Sequence, residues 1–135
     1  MNATAPAATN RREILQEITE AIASHGMWKQ RLRQAIDTGA MDDATVESIK
    51  PDNLCAFGKW LYGNDLSAAD KQSPHYLKVR DLHADFHRVA ARVAALALEG
   101  KKQEADEQMK PAGAFATASS ALTMAMIAWK KSLEA

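Results

Sequence analysis

An all-α fold, an antiparallel four-helix bundle with one additional short helix, is what this sequence predicts. Three observations carry the prediction. Apolar residues recur at helical spacing over three long stretches, Ser-Pro and Gly punctuation sits where those stretches start and stop, and no run alternates apolar and polar residues as a half-buried strand would. With 135 residues and 47% hydrophobic content, the chain is long enough to bury one core and too short for two.

Residues 1–10, MNATAPAATN, are small, polar and Pro-containing, so they are expected to be an unstructured lead-in, with the bundle domain covering 11–135. From Arg11 to Thr38, Ile14, Ile18, Ile22, Leu32 and Ile36 fall on one helical stripe, and Gly39 is a suitable stop. Residues 40–53 hold turn formers and little periodicity, which predicts a loop with one short helical turn. Asp52 or Asn53 is then expected to cap a short helix over 54–62, closed by Gly63. Ser73-Pro74 is a start signal, a capping hydroxyl followed by proline in the first helical position. The helix it opens runs to about Leu98 and stops at Gly100, with Tyr76, Val79, His83, Phe86, His87, Ala90, Val93 and Ala97 on one face. Residues 101–110 are charged and helix-prone, and Pro111 should break them. A last helix carries Phe115, Ala118, Leu122, Ala125, Met126, Trp129 and Leu133 inward, its Ala-rich start permitting close helix approach.

Charge and composition exclude several functions. Lys+Arg and Asp+Glu number 17 each, and no block of like charge marks a nucleic-acid or anionic-membrane surface. The N-terminus lacks a basic start followed by an apolar run, and no stretch of about 18 residues is both apolar and uncharged, so neither export nor membrane insertion is expected. One cysteine makes no internal disulfide and fits a reducing compartment, which points to the cytoplasm.

The chemistry lies in the polar residues on the apolar stripes. His83 and His87 are four apart, so they stack on one helix face a turn apart. His25 lies on the core stripe of the first helix. Cys55 opens the short helix, where the backbone dipole favours a thiolate. Three imidazoles and a thiolate make a complete tetrahedral donor set for zinc. A single histidine on an apolar face is more often a core residue satisfied by its neighbours. Burying three imidazoles and a thiol without a shared partner would desolvate each separately, whereas one zinc satisfies all four. His75, beside the helix start, reads as a surface residue. Trp28, Phe57, Trp60 and Phe86 read as packing around the site, and Met109, Met124 and Met126 as adaptable core.

The blocks HGMW at 25–28, CAFGKW at 55–60 and HADFH at 83–87, in this order, resemble the pattern of the chemoreceptor zinc-binding domain family. That pattern is His-x-x-Trp, then Cys-x-Phe/Leu-Gly-x-Trp, then His-x-x-x-His, and the likeness extends from about residue 11 to 133. The resemblance implies a bacterial cytoplasmic sensor domain, a four-helix bundle that forms homodimers, with His25, Cys55, His83 and His87 in the positions of the zinc ligands. It also implies an output, a chemoreceptor or diguanylate cyclase domain, whose activity follows zinc occupancy or cysteine oxidation. No such domain follows residue 135, so a standalone regulator acting in trans and an excised piece are both consistent with the sequence.

Other chemistries compete. A zinc hydrolase would use three histidines and a water, yet Asp81 and Asp85 beside the His pair are expected to face solvent and no substrate cleft is evident. A di-iron centre would need more histidines and bridging carboxylates on the core stripes. A structural zinc staple in an interaction bundle fits the same residues as a sensor. The expected function is therefore a non-enzymatic zinc-binding module, with Cys55 the ligand most readily moved or oxidised.

Overall fold

The computed structural model describes residues 4–42 and 44–134, with side chains from residue 11 onward. Among the described residues there are seven α-helices and no strand: α1 (Thr4–Gly26), α2 (Trp28–Thr38), α3 (Val46–Ile49), α4 (Ala56–Leu61), α5 (Pro74–Leu98), α6 (Lys102–Met109) and α7 (Ala114–Glu134). A 3₁₀ turn at Asp70–Gln72 precedes α5. The chain is an all-helical bundle, as the apolar periodicity requires.

Two boundaries differ from the sequence reading. The backbone is helical from Thr4, so residues 4–10 extend the first helix where an unstructured lead-in was expected; residues 1–3 of that lead-in lie outside the described residues. Three alanines favour helix here, and Pro6 falls in the first turn, where its missing N–H forfeits no bond. The stretch expected as one helix over 11–38 is two, divided at Met27. That residue keeps right-handed angles (φ −70°, ψ −19°), but its N–H bonds the Ser24 carbonyl at 3.3 Å. This tightened i→i+3 turn follows Gly26, the weakest helix former of the stretch.

The stops and starts follow local chemistry. Gly39 ends α2 in the left-handed region (φ 75°), its N–H bonding the Ala35 carbonyl at 2.7 Å. Ser73 caps α5, its hydroxyl accepting from the Tyr76 N–H at 3.1 Å, with Pro74 in the first turn. α5 is the central element, packed against α7, α2, α3 and α6, while α1 lies on α7 and α4. Ile18, Leu32, Val79, Phe86 and Leu122 are almost wholly buried in the shared core, each worth roughly 1.5–3 kcal/mol of burial. The far end of α4 is tied down by two bonds: the buried Tyr76 hydroxyl donates to the Leu61 carbonyl at 2.8 Å, and Lys71 Nζ donates to the Gly63 carbonyl at 2.7 Å.

The C-terminal helical segment, 102–134, is long and apolar enough by length and composition to cross a bilayer, which the sequence reading did not anticipate. In the fold, Phe115, Leu122, Ala125, Met126 and Trp129 of α7 are buried within the bundle, as an amphipathic core helix requires. Met124 is a correction: expected in the core, it is 68% exposed. Two residues from Met126 on a helix, it falls on the opposite side.

Candidate metal centre

Three elements bring four donors to one point. His25 lies in the last turn of α1, Cys55 immediately precedes α4, and His83 and His87 lie one turn apart on α5. Their donor atoms all lie within 4.8 Å of one another. His83 Nε2 is 3.0 Å from His25 Nε2 and 3.1 Å from His87 Nε2, and Cys55 Sγ is 3.4, 3.5 and 3.9 Å from the Nε2 atoms of His83, His87 and His25. Tetrahedral zinc at ordinary bond lengths sets nitrogens about 3.3 Å apart and nitrogen and sulfur about 3.6 Å apart. The four residues therefore fit a zinc ion in both donor type and spacing.

The backs of two rings are fixed. His25 Nδ1 donates to the Ala21 carbonyl and His87 Nδ1 to the Ile49 carbonyl, each at 2.8 Å. Each bond places the proton on Nδ1 and leaves the Nε2 lone pair facing the shared centre. Both lone pairs are thereby available to a cation at the shared centre. His83 is held differently. Its Nδ1 is buried without a hydrogen-bond partner, and its ring is gripped by edge contacts to Phe57 at 5.2 Å, His25 at 4.8 Å and His87 at 4.5 Å between centroids. Phe86 adds an edge contact to His25 at 5.3 Å. Phe57, Trp60 and Phe86 are buried, and Trp60 stacks on Phe57 at 5.6 Å.

The Cys55 end corrects one expectation. Neither Asp52 nor Asn53 caps α4: Cys55 itself is the N-cap, its Sγ accepting from the Gly58 N–H at 3.3 Å. A thiol fills the role usually taken by a hydroxyl or carboxylate, so one atom closes the helix and faces the metal site. Position 58 requires glycine, because a Cβ there would lie 1.8 Å from the Asp52 carbonyl oxygen. Asp81 and Asp85 point away to ion pairs with Arg80 and Arg88 on the surface. His75 is half-buried, at the edge of a mainly apolar groove of about 570 Å³ between α5 and α7. The signals that sequence reasoning missed, the Ala21 and Ile49 carbonyls and the Gly58 approach, are backbone features.

Burial sets the proton balance. Desolvation pushes the His25 imidazole down to about 4 against the help of the Ala21 carbonyl, and pushes His83 further down, the neighbouring His25 and His87 adding to it. His87 is also lowered by burial, with partial compensation from the Ile49 carbonyl. Burial pushes the Cys55 thiol up against the Gly58 N–H, so desolvation outweighs the helix start that was expected to favour a thiolate. At pH 7 the imidazoles are thus neutral and the thiol protonated, so zinc uptake is expected to release close to one proton, from Cys55. Calorimetry in buffers of different ionisation enthalpy measures this number, and three or four protons would contradict the picture. In the metal-free protein the unfolded chain binds more protons than the fold below pH 6.5. Stability should therefore fall as pH drops from about 6.5 towards 4, for His25 by up to about 1.4 kcal/mol per pH unit.

The family model of the chemoreceptor zinc-binding domain matches residues 25–94, just over half of the 135-residue chain, and the span contains all four donors. No curated protein and no solved structure matches.

Proposed function

The chain belongs to the chemoreceptor zinc-binding domain family, and on that premise we propose that it is a regulatory module that reports zinc occupancy, or the oxidation state of Cys55, to a signalling partner. The observation that carries this reading is the convergence of three Nε2 atoms and one Sγ on one point, two of the imidazoles backed by carbonyls. His25, Cys55, His83 and His87 would hold the ion. When bound, zinc supplies a charge that cross-links α1, α4 and α5. Four protein donors leave no position for an activated water, which supports a non-catalytic site.

The four donors are not equally held. His83 and His87 ride on α5, a 25-residue helix at the centre of the fold, whereas Cys55 rides on the six-residue α4. A change at the metal would therefore move α4 most, shifting the packing of Phe57 and Trp60 against Trp129, which lies 6.0 Å from Trp60 between ring centroids. Oxidation by hypochlorous acid would convert the thiolate to sulfenic acid with release of chloride, removing the charged sulfur donor. The output would be a chemoreceptor or a cyclic-di-GMP enzyme acting in the bacterial cytoplasm. A homodimer is part of the proposal, supported by the uncharged outer side of α7, where Ala114, Thr117, Met124 and Ala128 are exposed.

The competing reading is a permanent staple, favoured by the depth of the three imidazoles, none more than 6% exposed. Titration with zinc buffers separates the two. A sensor should fill and empty reversibly with one zinc per chain and a matching change in tryptophan fluorescence. A staple should release zinc only on unfolding, and that result would overturn the sensing proposal. Light scattering on the same samples should give the mass of two chains.

A further inference from the structure

We propose that Asp52 and Tyr62 form a latch that sets how firmly Cys55 is held against the metal, an inference that rests on the zinc-binding reading of the site. Asp52 touches α4 at both ends. Its backbone carbonyl lies against Gly58 in the first turn, where even a Cβ would find no room. Its carboxylate accepts a hydrogen bond from the hydroxyl of Tyr62, the residue that caps the other end of the helix. The half-buried Asp52 thus clamps the helix lengthwise from outside.

The position of Asp52 in the chain gives the clamp its consequence. Residues 49–55 run from Ile49, whose carbonyl orients His87, to Cys55. Asp52 is three residues from each, so the bond to Tyr62 fixes the one segment that supports two of the four donors. The far end of α4 is fixed independently by the Tyr76 hydroxyl. The first turn, with Cys55, depends on the Gly58 N–H and on the segment held by Asp52. With the latch open, that turn is free to lift while His83 and His87 stay on α5.

The electrostatics agree with this placement. The Asp52 carboxylate opposes a bare thiolate at Cys55 and favours positive charge at His87, so its field favours a cation at the centre. Burial and the Asp52 acceptor push the Tyr62 phenol upward, which keeps it a donor throughout the physiological range. Tyr62 is 44% exposed, so the latch sits where events at the protein surface act on it.

The test uses the full zinc-loaded chain. Tyr62→Phe keeps the ring and deletes the hydroxyl. Zinc transfer to excess chelator should become roughly threefold to tenfold faster, the loss of one partly exposed charged hydrogen bond. Alkylation of Cys55 by iodoacetamide in the zinc-bound protein should accelerate by a similar factor relative to the metal-free protein. Asp52→Ala, which removes the acceptor, should act in the same direction, and the double variant should be no faster than Asp52→Ala alone, because both remove one contact. A merely structural contribution would lower the thermal stability of zinc-loaded and metal-free protein alike and leave the alkylation ratio unmoved. If the parent chain binds one zinc and Cys55→Ser loses it, yet Tyr62→Phe releases zinc within twofold of the parent, the latch is overturned and the site stands. If Cys55→Ser retains zinc at the parent rate, the ligand reading beneath the latch has failed.

Discussion

His83→Ala is expected to lower zinc affinity by roughly a hundredfold to a thousandfold. Structural zinc sites are worth about 10–16 kcal/mol at neutral pH, so one donor in four accounts for about 3 kcal/mol or more. His83 is the donor nearest to all the others, with contacts of 3.0, 3.1 and 3.4 Å, and its side chain is fully buried. Its loss leaves three donors and a cavity that water can fill, a weaker and more open shell. Competition against a chromophoric chelator measures the affinity, and circular dichroism of the metal-free variant checks the helices. Affinity within threefold of the parent would remove His83 from the site. Because the fold gathers the four donors and the unfolded chain scatters them, zinc favours the fold, so the parent's thermal midpoint should rise with free zinc while that of His83→Ala responds only at much higher concentration.

Gly58→Val should be nearly as damaging, through geometry and with all four donors retained. A Cβ at this position would lie 1.8 Å from the Asp52 carbonyl oxygen, 2.8 Å from its carbon and 3.0 Å from the Asn53 Cα. These are backbone atoms, so no rotamer change relieves the clash, and either the segment 51–54 or the first turn of α4 must move by more than 1 Å. Both carry Cys55, whose sulfur also accepts from the Gly58 N–H. The expected cost is about 2–4 kcal/mol of stability and loss of the sulfur from the metal. Cobalt substitution reads this directly, since the thiolate-to-cobalt charge-transfer band should disappear while histidine binding persists. Gly26→Ala is the control: nothing lies within 4 Å of its Cβ position, and a stabilisation of about 0.4–1 kcal/mol is expected. Parent-like cobalt spectra in Gly58→Val would show that the close approach does not position Cys55.

The stripes of α1, α2, α5 and α7 were legible because helical burial is a local periodic property. Ile14, Ile18, Leu32, Ile36, Tyr76, Val79, Phe86, Leu122 and Trp129 all lie in the core where their spacing puts them. The stops at Gly39 and Gly100 were legible for a related reason, since both adopt the positive φ that glycine tolerates best. The division at Met27 was hidden because a single i→i+3 bond needs no special residue there, and Gly26 was its only trace. Over 4–10 the backbone is helical despite polarity and a proline, since three alanines favour helix and a first turn tolerates proline.

The sequence by itself determined an all-helical chain and pointed to His25, Cys55, His83 and His87 as one candidate donor set, because helical period, capping residues and the order of short blocks are properties of side-chain identity along the chain. The tertiary structure decided what holds those donors. The Ala21 and Ile49 carbonyls that orient His25 and His87, the Asp52 carbonyl packed on Gly58, and the Tyr62 hydroxyl on Asp52 are contacts of position. Every residue carries a carbonyl, so its role is set only when folding brings it to a particular imidazole; Ile49 and His87 are 38 residues apart in the chain and 2.8 Å apart, atom to atom, in the fold.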